Sequence, residues 1–241
     1  MSGDEKIPAR YPDNNDHNPV NGLSGCCALE KLNPTQPARN GRVIIFSPGQ
    51  NGTLRRNILS DPLIKKRALL IIDMQVGLFN GPDKPHDGLR VLANINCLIE
   101  KARHSQIPIF AARHTGPADS PFAPGTPLTQ LVPELKIDNS QDKIFDKTRP
   151  SCFSGTGLGD WLHQKSIDEL VIAGMKTEFC IDTTCRAAAD LGFRPVLISD
   201  AHTTMDTPIL PAPAIIAHHN RTLNGPFVKL ISTDEYEFWH Q

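Results

Sequence analysis

A thiol, a carboxylate and an ammonium close three apolar runs in this chain. Cys180 follows Leu170-Val171-Ile172-Ala173-Gly174-Met175-Lys176-Thr177-Glu178-Phe179, which reads as a buried strand, a tight turn and the start of a helix. Thr177 is the expected N-cap, so Cys180 falls in the first helical turn, where free backbone N–H groups and the positive dipole end favour a thiolate. Arg67-Ala68-Leu69-Leu70-Ile71-Ile72 is apolar without alternation after its first residue, as in a strand buried on both faces, and it stops at Asp73. Lys143-Ile144-Phe145-Asp146 is a shorter run that stops at Lys147. In a parallel sheet all carboxyl ends lie along one edge, so the three groups have a place to meet. Together they are equipped for nucleophilic acyl transfer: a thiol to attack, a base to take its proton and a cation to hold the base.

Taken singly, each residue has a plainer reading. Cys180 is then a small core residue, Asp73 a strand-end carboxylate capping the next loop, and Lys147 a surface cation. It is their shared context that favours the chemical reading.

The elements that must position them alternate along the chain. After Asp73 comes a loop through Gly81-Pro82-Asp83-Lys84-Pro85, then a helix over 87–104 with Leu89, Leu92, Ile95 and Ile99 at helical spacing. Strands are expected over 107–112, 143–147, 169–173, 194–199 and 227–232, with helices over 156–164, 177–191 and 209–223. This alternation implies a three-layer α/β/α sandwich with a six-stranded, mostly parallel sheet of Rossmann type. Residues 116–133 form a long Pro-rich loop. Residues 1–64 are rich in Asn, Pro, Gly and charge, and are expected to form a polar, largely disordered extension ahead of a domain over 65–241. Within that extension, residues 42–46 could dock as an edge strand.

Composition narrows the partners. The 241 residues carry a net charge of −1 with no basic stripe, which gives no case for nucleic acid or an anionic membrane. Lys65-Lys66-Arg67 reads as a solvated flank of the first strand. No run approaches the roughly 18 apolar residues of a membrane span, and no secretory signal opens the chain, so a cytoplasmic protein is expected. The six cysteines form no disulfide framework, and Cys26-Cys27 is too compressed for a redox pair.

In combination these motifs resemble the isochorismatase-like cysteine hydrolases, the superfamily that includes nicotinamidases and N-carbamoylsarcosine amidases. The resemblance runs from about Arg67 to Ser232 and rests on Leu70-Ile71-Ile72-Asp73-Met74-Gln75, on Phe145-Asp146-Lys147 followed by Ser151-Cys152-Phe153, and on Gly174 to Cys180 with Thr184 and Arg186 beyond. It implies a catalytic triad of Asp73, Lys147 and Cys180. It also implies a cis peptide at Met175-Lys176 that aims the backbone N–H groups of Lys176 and Cys180 at an oxyanion. The activity it implies is hydrolysis of a C–N bond in a small amide, lactam or carbamoyl compound through a thioester, and the assembly a homo-oligomer. Gln75, Phe79, His114, Phe153, Met175 and His202 are the candidate pocket residues. For His202, a loop histidine bonded to backbone is an equal reading.

The departures bear on substrate. Nicotinamidases of the superfamily carry an Asp-x-His pair after the second strand that holds a metal. Here that place reads Arg113-His114-Thr115-Gly116-Pro117, and one histidine is too few ligands, so no metal or cofactor is expected. True isochorismatases cleave a vinyl ether and can dispense with the cysteine; Cys180 therefore favours amide chemistry, with isochorismatase activity the alternative. A non-catalytic binding protein using the polar tail is another reading, and so is a thiol redox enzyme, although Cys185 should point away from Cys180. Cys152 and Cys185 read as packing thiols. His218-His219-Asn220 reads as surface or subunit packing. Gly155-Thr156-Gly157-Leu158-Gly159-Asp160 lacks the last glycine of a dinucleotide loop and reads as the approach to a helix.

Overall fold

A computed structural model of the protein describes residues 66–238. The extension expected over 1–64, its edge strand over 42–46 and the Cys26-Cys27 pair lie outside the described residues. In chain order the elements are β1 (Arg67–Ile72), α1 (Val76–Phe79), α2 (Gly88–His104), β2 (Ile109–His114), β3 (Lys143–Lys147), α3 (Leu158–Gln164), β4 (Glu169–Met175), α4 (Asp182–Asp190), β5 (Arg194–Thr203), α5 (Ala212–Leu223) and β6 (Lys229–Ile231).

The six strands lie in the order β3-β2-β1-β4-β5-β6, and every pairing is parallel rather than mostly so. β1 sits at the centre because its residues feed two cores. Leu69 and Ile71 pack on the face covered by α2, with Leu92, Ile95 and Ile99. Ala68, Leu70 and Ile72 pack on the other face, with Leu158 and Leu162 of α3 and Cys185 and Ala188 of α4. Side chains alternate across a strand, so a run with no polar residue is what a sheet covered on both faces requires.

Three local expectations are corrected. Leu89 has helical spacing but is exposed at the first turn of α2. Arg67 is not solvated: its Nε lies 2.8 Å from Glu169 Oε1, and both side chains are largely buried. β5 does not end at Ser199 but continues through Thr203, because its pairing with β4 slips. Leu197 stands opposite Ile172, and His202 opposite Gly174. The extra β5 residues bulge out and bring His202 back into register at the sheet edge.

Gly174 permits this crossing. Its φ is +123°, and a Cβ there would lie 2.1 Å from the Ile72 carbonyl oxygen on the neighbouring strand. Only glycine allows so close a backbone approach. Gly174→Ala should therefore destabilise the fold by about 3 kcal/mol or more, through overpacking and a disallowed backbone conformation. Urea denaturation of the two proteins checks this, and an unchanged midpoint would contradict it.

Candidate active site

The carboxyl ends of β1, β2, β3 and β4 form one line. His114 is in register with Lys147, and Ile72 with both Ala112 and Gly174, so Asp73, His114, Lys147 and Met175 share the edge. Asp73 leaves β1 with φ +54°, a left-handed conformation that aspartate tolerates better than most residues. Its N–H still donates to Ala112 O at 3.0 Å, so the turn begins with the backbone tied to β2.

Lys147 is buried and joins the other two groups. Its Nζ donates to Asp73 Oδ2 at 2.8 Å and lies 3.3 Å from Cys180 Sγ. Asp73 Oδ1 is buried with no hydrogen-bond partner, an acceptor left open. Such atoms are rare in folded proteins and call for a reason.

Burial sets the electrostatics. It raises the Asp73 pKa, against the pull of the Lys147 charge, which makes this carboxylate a stronger base than a free one. For Lys147, burial works to lower the pKa, but Asp73, with Cys152 and Cys180, more than offsets it and keeps the ammonium charged. The Cys180 thiol is pushed up to about 12, first by burial and then by the Asp73 charge, with Lys147 opposing. Burial and the Asp73 charge thus oppose the thiolate that the sequence context favours. The helix start is also different: Thr177–Ile181 is a π-helical turn ahead of α4, and Thr177 is not its cap. Within it the N–H groups of Phe179 and Ile181 both donate to Lys176 O, and the Met175–Lys176 peptide is cis.

The candidate pocket residues divide. His114 is half-buried, feels the charges of Lys147 and Asp73, and has a buried Nδ1 without a partner; burial, then Lys147, lowers its pKa. Gln75 turns inward instead, its Nε2 donating to the carbonyls of His114 and Thr129 and its Oε1 accepting from His114 N. Phe79 and Met175 are buried in the core on the α2 side of the sheet. Phe153 packs on the opposite face and stacks on Phe193. His202 is not a loop histidine bonded to backbone: it is a buried β5 residue held by Thr177 and Asn220 side chains, and it lines a cavity with His86 and Asp200.

Sequence reasoning missed Thr184 and Asn220 as positioning groups. Thr184 Oγ1 accepts from Cys152 N at 3.1 Å, tying the loop after β3 to α4. Its place in the Cys180-to-Arg186 motif was the available signal; Asn220 was read only as part of the His218-His219-Asn220 surface turn of α5, and its bond to His202 left no signal in the sequence. Cys152 and Cys185 are fully buried, and burial raises both thiols. In the Gly155–Asp160 loop, Thr156 Oγ1 accepts from Leu158 N at 3.2 Å as α3 begins. Among the described residues no group of three His, Cys, Asp or Glu side chains gathers to hold a metal, and no helix is long and apolar enough to cross a membrane.

A parallel sheet with helices on both faces and polar side chains at its carboxyl edge defines the class, a three-layer α/β fold with a polar site at the sheet edge. Residues 67–233 match the isochorismatase domain, and the chain belongs to the isochorismatase family of hydrolases. It is 32% identical over 146 residues to a streptothricin hydrolase of Streptomyces noursei, a match covering 60% of this chain and 52% of that protein. The chain thus spans about half the length of that relative. Nicotinamidase 3 of Arabidopsis thaliana is 30% identical over 159 residues, covering 61% of this chain and 77% of the relative. The crystal structure of an isochorismatase from Pseudomonas putida KT2440 superposes with a TM-score of 0.65 at 29% identity, over 72% of this chain and 92% of that one.

Two measurements follow from the electrostatics. Because Lys147 lowers the Cys180 thiol pKa, Lys147→Met should slow iodoacetamide labelling of Cys180 at neutral pH several-fold. Peptide mapping reads the rate, and labelling as fast as in the wild type would contradict the assignment. The second concerns His202, whose pKa is lowered to about 4, first by burial and further by His219, against its Asn220 bond and Asp200. A folded pKa below the unfolded value means the unfolded chain binds more protons between the two, so this contribution is complete above pH ~6.5 and is lost as pH falls towards 4. Relative to His202→Gln, the wild type should lose about 3 kcal/mol of its stability advantage between pH 7 and pH 4 in denaturant titrations. A pH-independent difference would contradict the assignment.

Proposed function

We propose that this chain is a cysteine hydrolase that cleaves the C–N bond of a small amide, lactam or carbamoyl compound. The observation that carries the reading is the buried Lys147 ammonium lying within bonding distance of both Asp73 and Cys180. Substrate arrives at the carboxyl edge of the sheet. The Cys180 proton passes to Asp73 as Sγ bonds to the carbonyl carbon, and the carbonyl electron pair moves to oxygen. Backbone N–H groups of Lys176 and Cys180 receive that oxyanion. Collapse breaks the C–N bond, and Asp73 returns its proton to the leaving nitrogen, which leaves a thioester on Cys180. Water then gives a proton to Asp73 and its oxygen to the acyl carbon, and collapse expels the thiolate, which recovers the proton. Lys147 keeps its charge throughout and prevents Asp73 from resting protonated.

The relatives support amide-type chemistry, since they include proteins named streptothricin hydrolase and nicotinamidase. Every step above is supplied by this chain's own side chains and backbone. Incubation with a panel of primary amides, lactams and N-carbamoyl amino acids, with intact-protein mass spectrometry, tests the reading. The expected result is turnover of at least one class, an acyl adduct mapped to Cys180, and a loss of at least about 10³-fold in Cys180→Ala. Undiminished turnover in Cys180→Ala, or vinyl ether cleavage by that variant, would overturn it.

A further inference from the structure

β5 reaches the nucleophile turn through a buried chain of side-chain hydrogen bonds that the reaction itself does not use. Thr177 Oγ1 and His202 Nδ1 are 2.9 Å apart, His202 Nε2 and Asn220 Oδ1 are 2.8 Å apart, and Asn220 Nδ2 donates to Ser199 O at 3.3 Å. The chain has one consistent direction. Asn220 presents its amide N–H to a carbonyl, so its Oδ1 is the acceptor facing His202, and Nε2 must carry the imidazole proton. His202 is buried and neutral, so Nδ1 has only a lone pair to offer. The Thr177 hydroxyl therefore donates to it. The opposite tautomer would set two acceptors against each other at Asn220.

The placement of this chain matters more than its existence. Met175 is in backbone register with Thr203, and Thr177 is bonded to His202, so two consecutive β5 residues grip both neighbours of Lys176. Lys176 O in turn collects the N–H groups of Phe179 and Ile181, which flank Cys180. The grip exists only because the slip in β5 pairing returns His202 opposite Gly174.

We propose that His202 is a positioning residue: by holding the Thr177 hydroxyl it sets the aim of the Lys176 N–H at the oxyanion formed when Cys180 attacks. This rests on the reading of Cys180 as the nucleophile. A misplacement of about 1 Å at such a donor costs on the order of 10²-fold in rate without weakening ground-state binding.

The test separates the oxyanion from the thiol. p-Nitrophenyl acetate acylates through a tetrahedral oxyanion, whereas iodoacetamide alkylates by direct displacement and forms none. The full-length wild type, Thr177→Val, Thr177→Ser, Asn220→Ala and Cys180→Ala proteins are compared with both reagents. Val matches threonine in shape and loses the hydroxyl, whereas Ser keeps the hydroxyl and loses the methyl. Thr177→Val should lower kcat for ester acylation about 10- to 100-fold with KM and the Cys180 alkylation rate unchanged, and Thr177→Ser should stay near wild type. Asn220→Ala, at a half-buried position further along the chain, should fall in the same direction by less, and it carries the test if the Val variant does not fold. Wild-type acylation in both Thr177→Val and Asn220→Ala, or an equal loss in Ser and Val, would overturn the proposal. Equal ester consumption by wild type and Cys180→Ala would instead remove the nucleophile reading on which it rests.

Discussion

The structure depends on one buried ammonium. Lys147 stands at the end of β3 and Asp73 at the end of β1, with β2 between them, so the groups must meet across two strand spacings, about 10 Å. A four-carbon stem can bridge that gap; a shorter cation could not. The pair is nearly free of solvent, and burying two charges is costly unless they satisfy each other. Removing one member of such a pair typically costs about 3–5 kcal/mol, because the other is left uncompensated. The ion pair therefore ties the two strand ends together and fixes the carboxylate against the thiol.

The same burial decides how the thiol is used. A cysteine at a helix start beside a lysine suggests a standing thiolate, but desolvation and the Asp73 charge outweigh Lys147 and raise the Cys180 pKa. On the proposed reading the nucleophile is neutral at rest and deprotonated during attack, as in a serine hydrolase. Asp73 suits that task, since burial raises its pKa while the Lys147 charge pulls against the rise. Its second oxygen is buried without a hydrogen-bond partner.

Much of this was legible in the residues. The unbroken apolar runs of β1 and β4 demanded a sheet covered on both faces, and a parallel sheet forced their polar ends onto one edge. The bounds of β3 and the closing residues Asp73 and Lys147 followed from pattern alone, and the family resemblance assigned them roles. What stayed hidden was set by pairing between distant segments. The slip between β4 and β5 leaves no local trace, so β5 was read as ending at Ser199 and His202 was left in a loop. Likewise the π-helical turn at Thr177–Ile181 has the composition of an ordinary helix start, and its register is chosen by Thr177 reaching a partner on another strand. Gln75 and Phe79 were candidate pocket residues. A buried amide that can bond three backbone groups, and an aromatic ring facing α2, are both better accommodated inward.

The central claim is that Cys180 rests as a thiol and that Asp73 is the base which activates it. The thiolate has its own ultraviolet absorbance, so a difference titration of wild type against Cys180→Ser, carried from acid to strongly alkaline solution, reads its protonation directly. The account expects no Cys180 thiolate at neutral pH and its appearance only in strong alkali, in keeping with a pKa near 12. A thiolate already present at neutral pH and lost only in acid would contradict it, since Cys180 and Lys147 would then form a standing ion pair and Asp73 would have no proton to take.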